Sequence, residues 1–258
     1  YEDELLGLAE GVRDAGGGMI EAVSDWITDA TPDTINAEPD PVEAFGILRR
    51  VSEKSGQPLV YTLAQRNNWP EVFAKLLELN RQAYAEGVNI RPVFPPRAIG
   101  ILLGLQATQT PFSGCPTFKK LNDLPLEEKV KKLRDPNIRS QILSEDPVKE
   151  STFPLIHRMS YGYMFRFGNK DYIPQAEDSA AAIAEREVKT AAEVAYDMLL
   201  ENDGKNFIYM PITNYTGYGL SASESLLNEK MAIMGLGDGG AHVGFILDAG
   251  FPTWLLTH

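Results

Sequence analysis

Short apolar segments alternate with amphipathic segments in the first part of this chain, and this alternation restricts the fold more than any other feature. Apolar runs at 19–23, 58–63 and 88–94 predict buried strands. Amphipathic helices are predicted between them, over 41–54 and 70–86, each closely followed by a glycine. A strand–helix–strand order is typical of a parallel sheet with crossover helices. The sequence therefore predicts an α/β fold.

The same alternation returns in the C-terminal part, with a helix predicted over 191–200 and a strand over 206–211. Together these units predict a partial β/α barrel of the TIM type, with its functional residues at the carboxyl ends of the strands. The strands expected to be neighbours in one parallel sheet begin near Met19, Leu59, Ile90, Ile208 and Ala232. A doubly wound sheet is the alternative, although no G-x-G-x-x-G segment opens a helix after a strand.

An irregular, proline-rich segment at 104–172 interrupts the alternation, with short helices predicted at 126–133 and 137–143. An excursion of this length is too long for a connecting loop and predicts a helical insertion or lid. The predicted organisation is a first part of the barrel over 1–103, the insertion over 104–172 and the C-terminal barrel strands over 173–258.

Composition excludes several classes of partner. A formal net charge of −12 argues against nucleic acid and anionic membrane surfaces, because phosphate-binding surfaces need clustered Lys and Arg. The basic run at 129–134 predicts only a solvated helix face. No apolar segment is long enough to span a bilayer and no signal peptide opens the chain, so the cytoplasm is the expected compartment. A small-molecule substrate is expected, and a homo-oligomer is left open.

The two ends of the chain predict an internal fragment of a longer protein. The chain begins with Tyr1 rather than Met, and residues 251–258 form an amphipathic pattern with no terminating glycine.

A glycine-rich segment at 234–244 is the strongest functional signal. Asp238 stands among glycines at positions 235, 237, 239 and 240, and His242 follows four residues later. These glycines remove side-chain bulk around one carboxylate and let the backbone approach whatever the carboxylate holds. Such a place suits a metal ion, a proton or a polar ligand. An ordinary tight turn with a solvated Asp is the alternative.

Polar residues also follow several other predicted strands: Glu21, Asp25, Thr62, Gln65, Arg91, Arg97, Thr213, Asn214 and Tyr215. Arg91 and Arg97 are candidates for binding a substrate carboxylate, because a guanidinium group can hold it with two parallel hydrogen bonds. Asn214 and Tyr215 complete the candidate substrate-binding set, and surface or insertion-docking arginines are the alternative. His157, His258 and Cys115 are expected to be structural.

Several motifs together resemble the D-aminoacylase-like branch of the amidohydrolase superfamily. They are Pro211-Ile212-Thr213-Asn214-Tyr215, Gly235-Leu236-Gly237-Asp238-Gly239-Gly240-Ala241-His242-Val243, Phe251-Pro252-Thr253, Thr110-Pro111-Phe112, and Leu133-Arg134-Asp135-Pro136 with Arg139.

This resemblance implies a distorted β/α barrel with a divalent metal, zinc, at its mouth, hydrolysing an amide such as an N-acyl-D-amino acid. It implies that Asp238 is both a metal ligand and the catalytic group that handles the proton of the attacking water. It implies that His242 contacts the ligand or stabilises the transition state.

The sequence departs from the family pattern at its metal ligands. The paired His-x-His is absent, and the strands at 61–63 and 90–92 lack the expected histidines. The strand at 19–23 offers Glu21 in place of a bridging Lys or Cys. These departures predict a single-metal site with few ligands, or the loss of the metal.

Two further functional classes remain open at this point. One is a metal-free hydrolase in which Asp238 works with Glu21 or Asp25. The other is a non-catalytic ligand-binding or assembly protein on a degenerate barrel.

Overall fold

The computed structural model describes residues 1–23, 40–67, 69–149, 151, 156, 160–168, 172–237, 239–240, 244 and 248–258. Within them, the strands are β1 (Ile20–Ala22), β2 (Leu59–Thr62), β3 (Ile90–Phe94), β4 (Ile99–Gly104), β5 (Phe165–Arg166), β6 (Phe207–Thr213) and β7 (Ile233–Met234). The α-helices are α1 (Glu2–Asp14), α2 (Pro41–Ser55), α3 (Pro70–Ala85), α4 (Pro116–Lys119), α5 (Leu126–Leu133), α6 (Pro136–Ser144), α7 (Ala180–Glu187), α8 (Ala191–Gly204), α9 (Ser221–Leu227) and α10 (Phe251–Thr257).

Local sequence signals account for the ends of the first crossover helix. The Asp40 carboxylate accepts hydrogen bonds from the backbone N–H groups of Val42 and Glu43, and Pro41 occupies the first helical position. Gly56 ends α2 with a φ of 69°, a left-handed conformation that glycine adopts at no steric cost.

A four-stranded parallel sheet in the order β1-β2-β3-β7 confirms the predicted α/β class. Helix α2 connects β1 to β2 and helix α3 connects β2 to β3. Both helices bury apolar side chains against the sheet, including Phe45 and Leu76 beside Leu59, Tyr61 and Ile90. The carboxyl ends of these strands therefore lie at one edge.

The strand near Ile208 was predicted in the parallel sheet, and this prediction is wrong. Strand β6 instead forms an antiparallel three-stranded sheet in the order β4-β6-β5. The partner is β4, which begins only five residues after β3. Glycines allow the close pairing, because a Cβ on Gly100 would lie 2.2 Å from the Tyr209 ring and one on Gly104 would lie 2.7 Å from the Phe207 ring.

The insertion packs on the antiparallel sheet. Its helices α5 and α6 share a buried core with β4, β6, α7 and α8, to which Ile101, Leu133, Ile142, Leu199 and Ile208 contribute. Residues of all three predicted ranges, 1–103, 104–172 and 173–258, thus meet in one core, and the division between them stays a prediction.

Among the helices that the structure describes, none has the length and apolar character needed to cross a bilayer.

Candidate functional site at the carboxyl edge of the parallel sheet

Three neighbouring parallel strands deliver the candidate residues to the same edge. The chain leaves β2 toward Gln65, leaves β3 toward Arg97 and leaves β7 toward Gly235. Ligands and catalytic groups of α/β proteins gather at this edge, because the loops that follow the strands converge there.

The glycine-rich segment begins directly at the end of β7. Strand β7 pairs with the end of β3, and the Gly235 N–H extends the pairing with a 3.0 Å hydrogen bond to the Phe94 carbonyl. A Cβ at position 235 would lie 2.8 Å from Cγ1 of Val93, so the close approach requires glycine. Leu236 follows with a φ of 64°, a conformation that costs energy for a residue with a branched side chain. The backbone thus turns sharply two residues before Asp238.

Asp238 and His242, the predicted catalytic pair, lie outside the described residues, as do Asp25 and His157. Their roles stay predictions.

Asn214 ties the end of β6 to the loop after β2. Its side chain is fully buried and its φ is 57°. Its Oδ1 accepts a 2.6 Å hydrogen bond from the Gln65 N–H, while its own N–H donates to the Gln65 carbonyl at 2.8 Å. No described residue bonds to its buried Nδ2 or to the buried hydroxyl of Thr213. Unused buried donors beside a left-handed residue are characteristic of functional sites.

Tyr215 is also fully buried, and its phenol donates a 2.6 Å hydrogen bond to the Pro174 carbonyl. Its backbone N–H donates to Oδ1 of Asn67 at 3.2 Å, so a second bond joins this segment to the loop after β2. The structure brings Asn214 and Tyr215 together and gives the Tyr215 hydroxyl a structural partner.

Arg97 lies just beyond the carboxyl end of β3 and is 4% exposed. Its guanidinium carbon lies 4.5 Å from the ring centroid of Tyr172, a cation–π contact. Tyr172 in turn meets Tyr209 of β6 edge to face, with ring centroids 6.2 Å apart. The arginine is thus held at the carboxyl edge between β3 and the antiparallel sheet.

Arg91 lies at the opposite end of the same strand. Its guanidinium donates to the carbonyls of Val88 at 3.2 Å and Ile90 at 2.9 Å, and it lies 4.9 Å from the Tyr84 ring centroid of α3. These contacts hold Arg91 at the amino end of β3, so the structure does not bring it together with Arg97, Asn214 and Tyr215.

Potential metal ligands are sparse in the described part. Glu21, the carboxylate of β1, is exposed. No group of three His, Cys, Asp or Glu side chains among the described residues could hold a metal ion. Because Asp238 and His242 are outside those residues, the zinc site stays a prediction.

Cys115 is buried in the insertion, where its thiol faces the Ile142 carbonyl at 3.7 Å. Burial, followed by the negative charges of Glu145 and Asp146, raises the pKa of the thiol to about 12. A thiol of this kind stays protonated at neutral pH and is a poor nucleophile.

His258 is exposed and stacks on Trp254 with ring centroids 5.0 Å apart.

The motif at 133–139 has a structural role here. Asp135 caps α6 by accepting from the N–H groups of Asn137 and Ile138. Arg139 pairs with Asp197 of α8 at 2.5 Å and lies over the ring of Tyr196. The motif therefore docks α6 onto α8.

Lys129 was predicted to lie on a solvated helix face, and this prediction is wrong, because the residue is only 8% exposed. It lines a cavity between α5 and the loop after β4. The sequence signal for this burial is weak: Lys129 is adjacent to Val130 on a short helix whose other lysines are exposed.

Comparisons of the chain with protein-family models, with curated proteins and with solved structures found no match.

Proposed function

We propose that this protein is a metal-dependent amidohydrolase that cleaves the carbon–nitrogen bond of a small N-acylated amino acid, such as an N-acyl-D-amino acid. One observation carries the proposal. Because β7 pairs with β3, the glycine-rich segment starts at the carboxyl edge of a parallel sheet. Arg97 lies at the same edge, three residues after the end of β3. A carboxylate and a guanidinium at that edge are the groups that amide hydrolysis of an anionic substrate needs.

The proposed roles follow from the chemistry of each side chain. A bound divalent ion such as zinc supplies a Lewis acid that makes water acidic near neutral pH. Asp238 takes the proton of the attacking water and returns it to the leaving nitrogen. His242 donates a hydrogen bond to the negative charge that develops on the carbonyl oxygen of the amide.

Substrate recognition is assigned to the described residues of the same edge. Arg97 is suited to the substrate carboxylate because its planar guanidinium offers paired donors. The buried Nδ2 of Asn214 is a second donor, which no described residue uses. Both groups are held rigidly, Arg97 by Tyr172 and Asn214 by Gln65.

The parallel sheet is proposed to be one arc of a β/α barrel. Its support is the crossover pattern, in which α2 and α3 each connect adjacent parallel strands and pack in the same core. A doubly wound sheet shares this pattern. It differs from a barrel in that its sheet is open, with two edge strands, whereas the strands of a barrel close into a ring.

The test combines metal analysis of the purified protein with turnover assays on paired N-acyl-D- and N-acyl-L-amino acids. Bound zinc together with release of the free amino acid supports the proposal. Turnover without metal moves the protein to the carboxylate-based hydrolases. Neither metal nor turnover of any amide moves it to the non-catalytic binding proteins.

A further inference from the structure

A cavity of about 440 Å³ lies in the insertion, away from the strand ends just described. It is bounded by the end of β4, the loop that follows and the helices α4 and α5. Its polar lining residues are Thr108, Thr110, Ser113, Lys119, Asn122 and Lys129. A volume of this size accommodates a small metabolite.

Lys129 is the unusual member of this lining. It is 8% exposed, and its side chain makes neither an ion pair nor a hydrogen bond within the part of the chain that the structure describes. The stem of Lys129 is buried, while its ammonium group stays accessible at the cavity wall. A positive charge without a partner in a concave site favours an anion that enters the cavity.

The rest of the lining supplies the donors that such an anion needs. Lys119 adds a second ammonium group, which also has a contact of its own, and the described lining includes no Asp or Glu. The hydroxyls of Thr110 and Ser113 lie 3.2 Å apart at the start of the turn that leads into α4. In a protein with a net charge of −12, Lys129 makes this cavity a local positive spot, and the neighbouring hydroxyls add neutral hydrogen-bond donors.

We propose that this cavity binds a small oxyanion, a carboxylate or a phosphate group, with Lys129 as its counter-charge. Lys119 and the hydroxyls of Thr110 and Ser113 complete the coordination. This proposal does not depend on the proposed hydrolysis. The loop that lines the cavity meets the glycine-rich segment where the Thr108 N–H donates to the carbonyl of Gly244 at 3.1 Å.

The experiment is thermal unfolding of the purified protein during titration with inorganic phosphate and, separately, with succinate, at constant ionic strength set with chloride. A ligand that binds only the folded state raises Tm with its concentration. We expect a saturable rise of about 5 °C at a hundredfold excess over Kd for at least one anion. If only one of the two anions raises Tm, that anion identifies whether the cavity takes a phosphate or a carboxylate.

Two cavity variants and one matched control make the test specific. Lys129→Gln is expected to weaken binding at least tenfold by removing the positive charge, and Lys119→Gln is expected to weaken it less. Lys132→Gln, an exposed position on the same helix, should bind like the wild type. If Lys129→Gln does not fold, the Lys119→Gln titration still decides. No saturable rise with either anion, or equal rises in Lys119→Gln, Lys129→Gln and Lys132→Gln, overturns the proposal.

Discussion

Asn214 and the backbone of Gln65 form a reciprocal pair of hydrogen bonds between the two sheets: Oδ1 of Asn214 accepts from the Gln65 N–H at 2.6 Å, and the Asn214 N–H donates to the Gln65 carbonyl at 2.8 Å. Gln65 follows β2 of the parallel sheet, and Asn214 follows β6 of the antiparallel sheet. The pair fixes how the sheets meet at the carboxyl edge. It also requires the left-handed backbone of Asn214, which asparagine tolerates better than most residues.

Replacing Asn214 tests this connection. Asn214→Ala removes the bond to the partly buried Gln65 N–H and places alanine in a left-handed conformation, so we expect a loss of about 2–4 kcal/mol in the free energy of unfolding. Asn214→Gly loses the same bond without the backbone strain and should be about 1 kcal/mol less destabilising. Urea denaturation measures both, and equal losses in the two variants would show that the left-handed backbone is unimportant.

The glycines of the segment around Asp238 differ in what surrounds them. Gly235→Ala should destabilise the protein by about 1–3 kcal/mol, because the new methyl group meets Val93 at 2.8 Å between two paired strands. Gly239→Ala is the matched control, since among the described residues the nearest atom to its Cβ, that of Ala249, is 3.8 Å away. Thermal melts compare the two. Similar melting temperatures would contradict the tight β3–β7 contact.

Asp238 is predicted to act on the proton of the attacking water. Asp238→Asn should therefore lower kcat by about two to four orders of magnitude while KM changes little. His242→Ala should cost about tenfold to a thousandfold if it donates one hydrogen bond to the oxyanion. Asp203→Asn, which removes an exposed carboxylate, is the control. Wild-type turnover in Asp238→Asn would remove its catalytic assignment.

Substitutions of the two candidate arginines, Arg97 and Arg91, are predicted to differ in their effect on KM. Arg97→Lys keeps the positive charge but loses the paired donors, so KM should rise about tenfold or more with a smaller change in kcat. Arg91→Lys should leave KM unchanged, because Arg91 is engaged at the amino end of β3. Steady-state kinetics on one N-acylated amino acid gives both values. A larger KM effect at Arg91 would reverse the assignment.

Cys115 provides a pH-dependent reporter of the insertion. The thiol ionises near 9 in the unfolded chain, whereas burial raises its pKa to about 12 in the folded protein. Its contribution to stability is therefore present below pH 9 and is lost as pH rises from 9 toward 12. At pH 8, alkylation by iodoacetamide should be about a hundredfold slower in the folded protein than in urea. Equal rates would place the thiol at the surface.

Local sequence signals were sufficient for the parallel sheet and its helices. The apolar runs of β1, β2 and β3 are short and bounded by glycine or proline, and α2 carries its own cap in Asp40 and its own stop in Gly56. Such signals act over a few residues, so they can be recognised without knowing what packs on the element. The start of the glycine-rich segment at the end of β7 was predicted for the same reason.

Only the tertiary structure decided which way β6 pairs and which polar side chains become buried. An apolar strand has the same local pattern in a parallel or an antiparallel sheet, and the choice for β6 depended on its contact with the glycines of β4. Arg91 lies at the start of β3 and Arg97 lies three residues beyond its end, so the two arginines are at opposite ends of one strand. Lys129 lies on a helix with exposed lysines, and it is buried because α5 packs over the loop after β4. These outcomes depend on contacts between residues distant in the chain, which local periodicity does not contain.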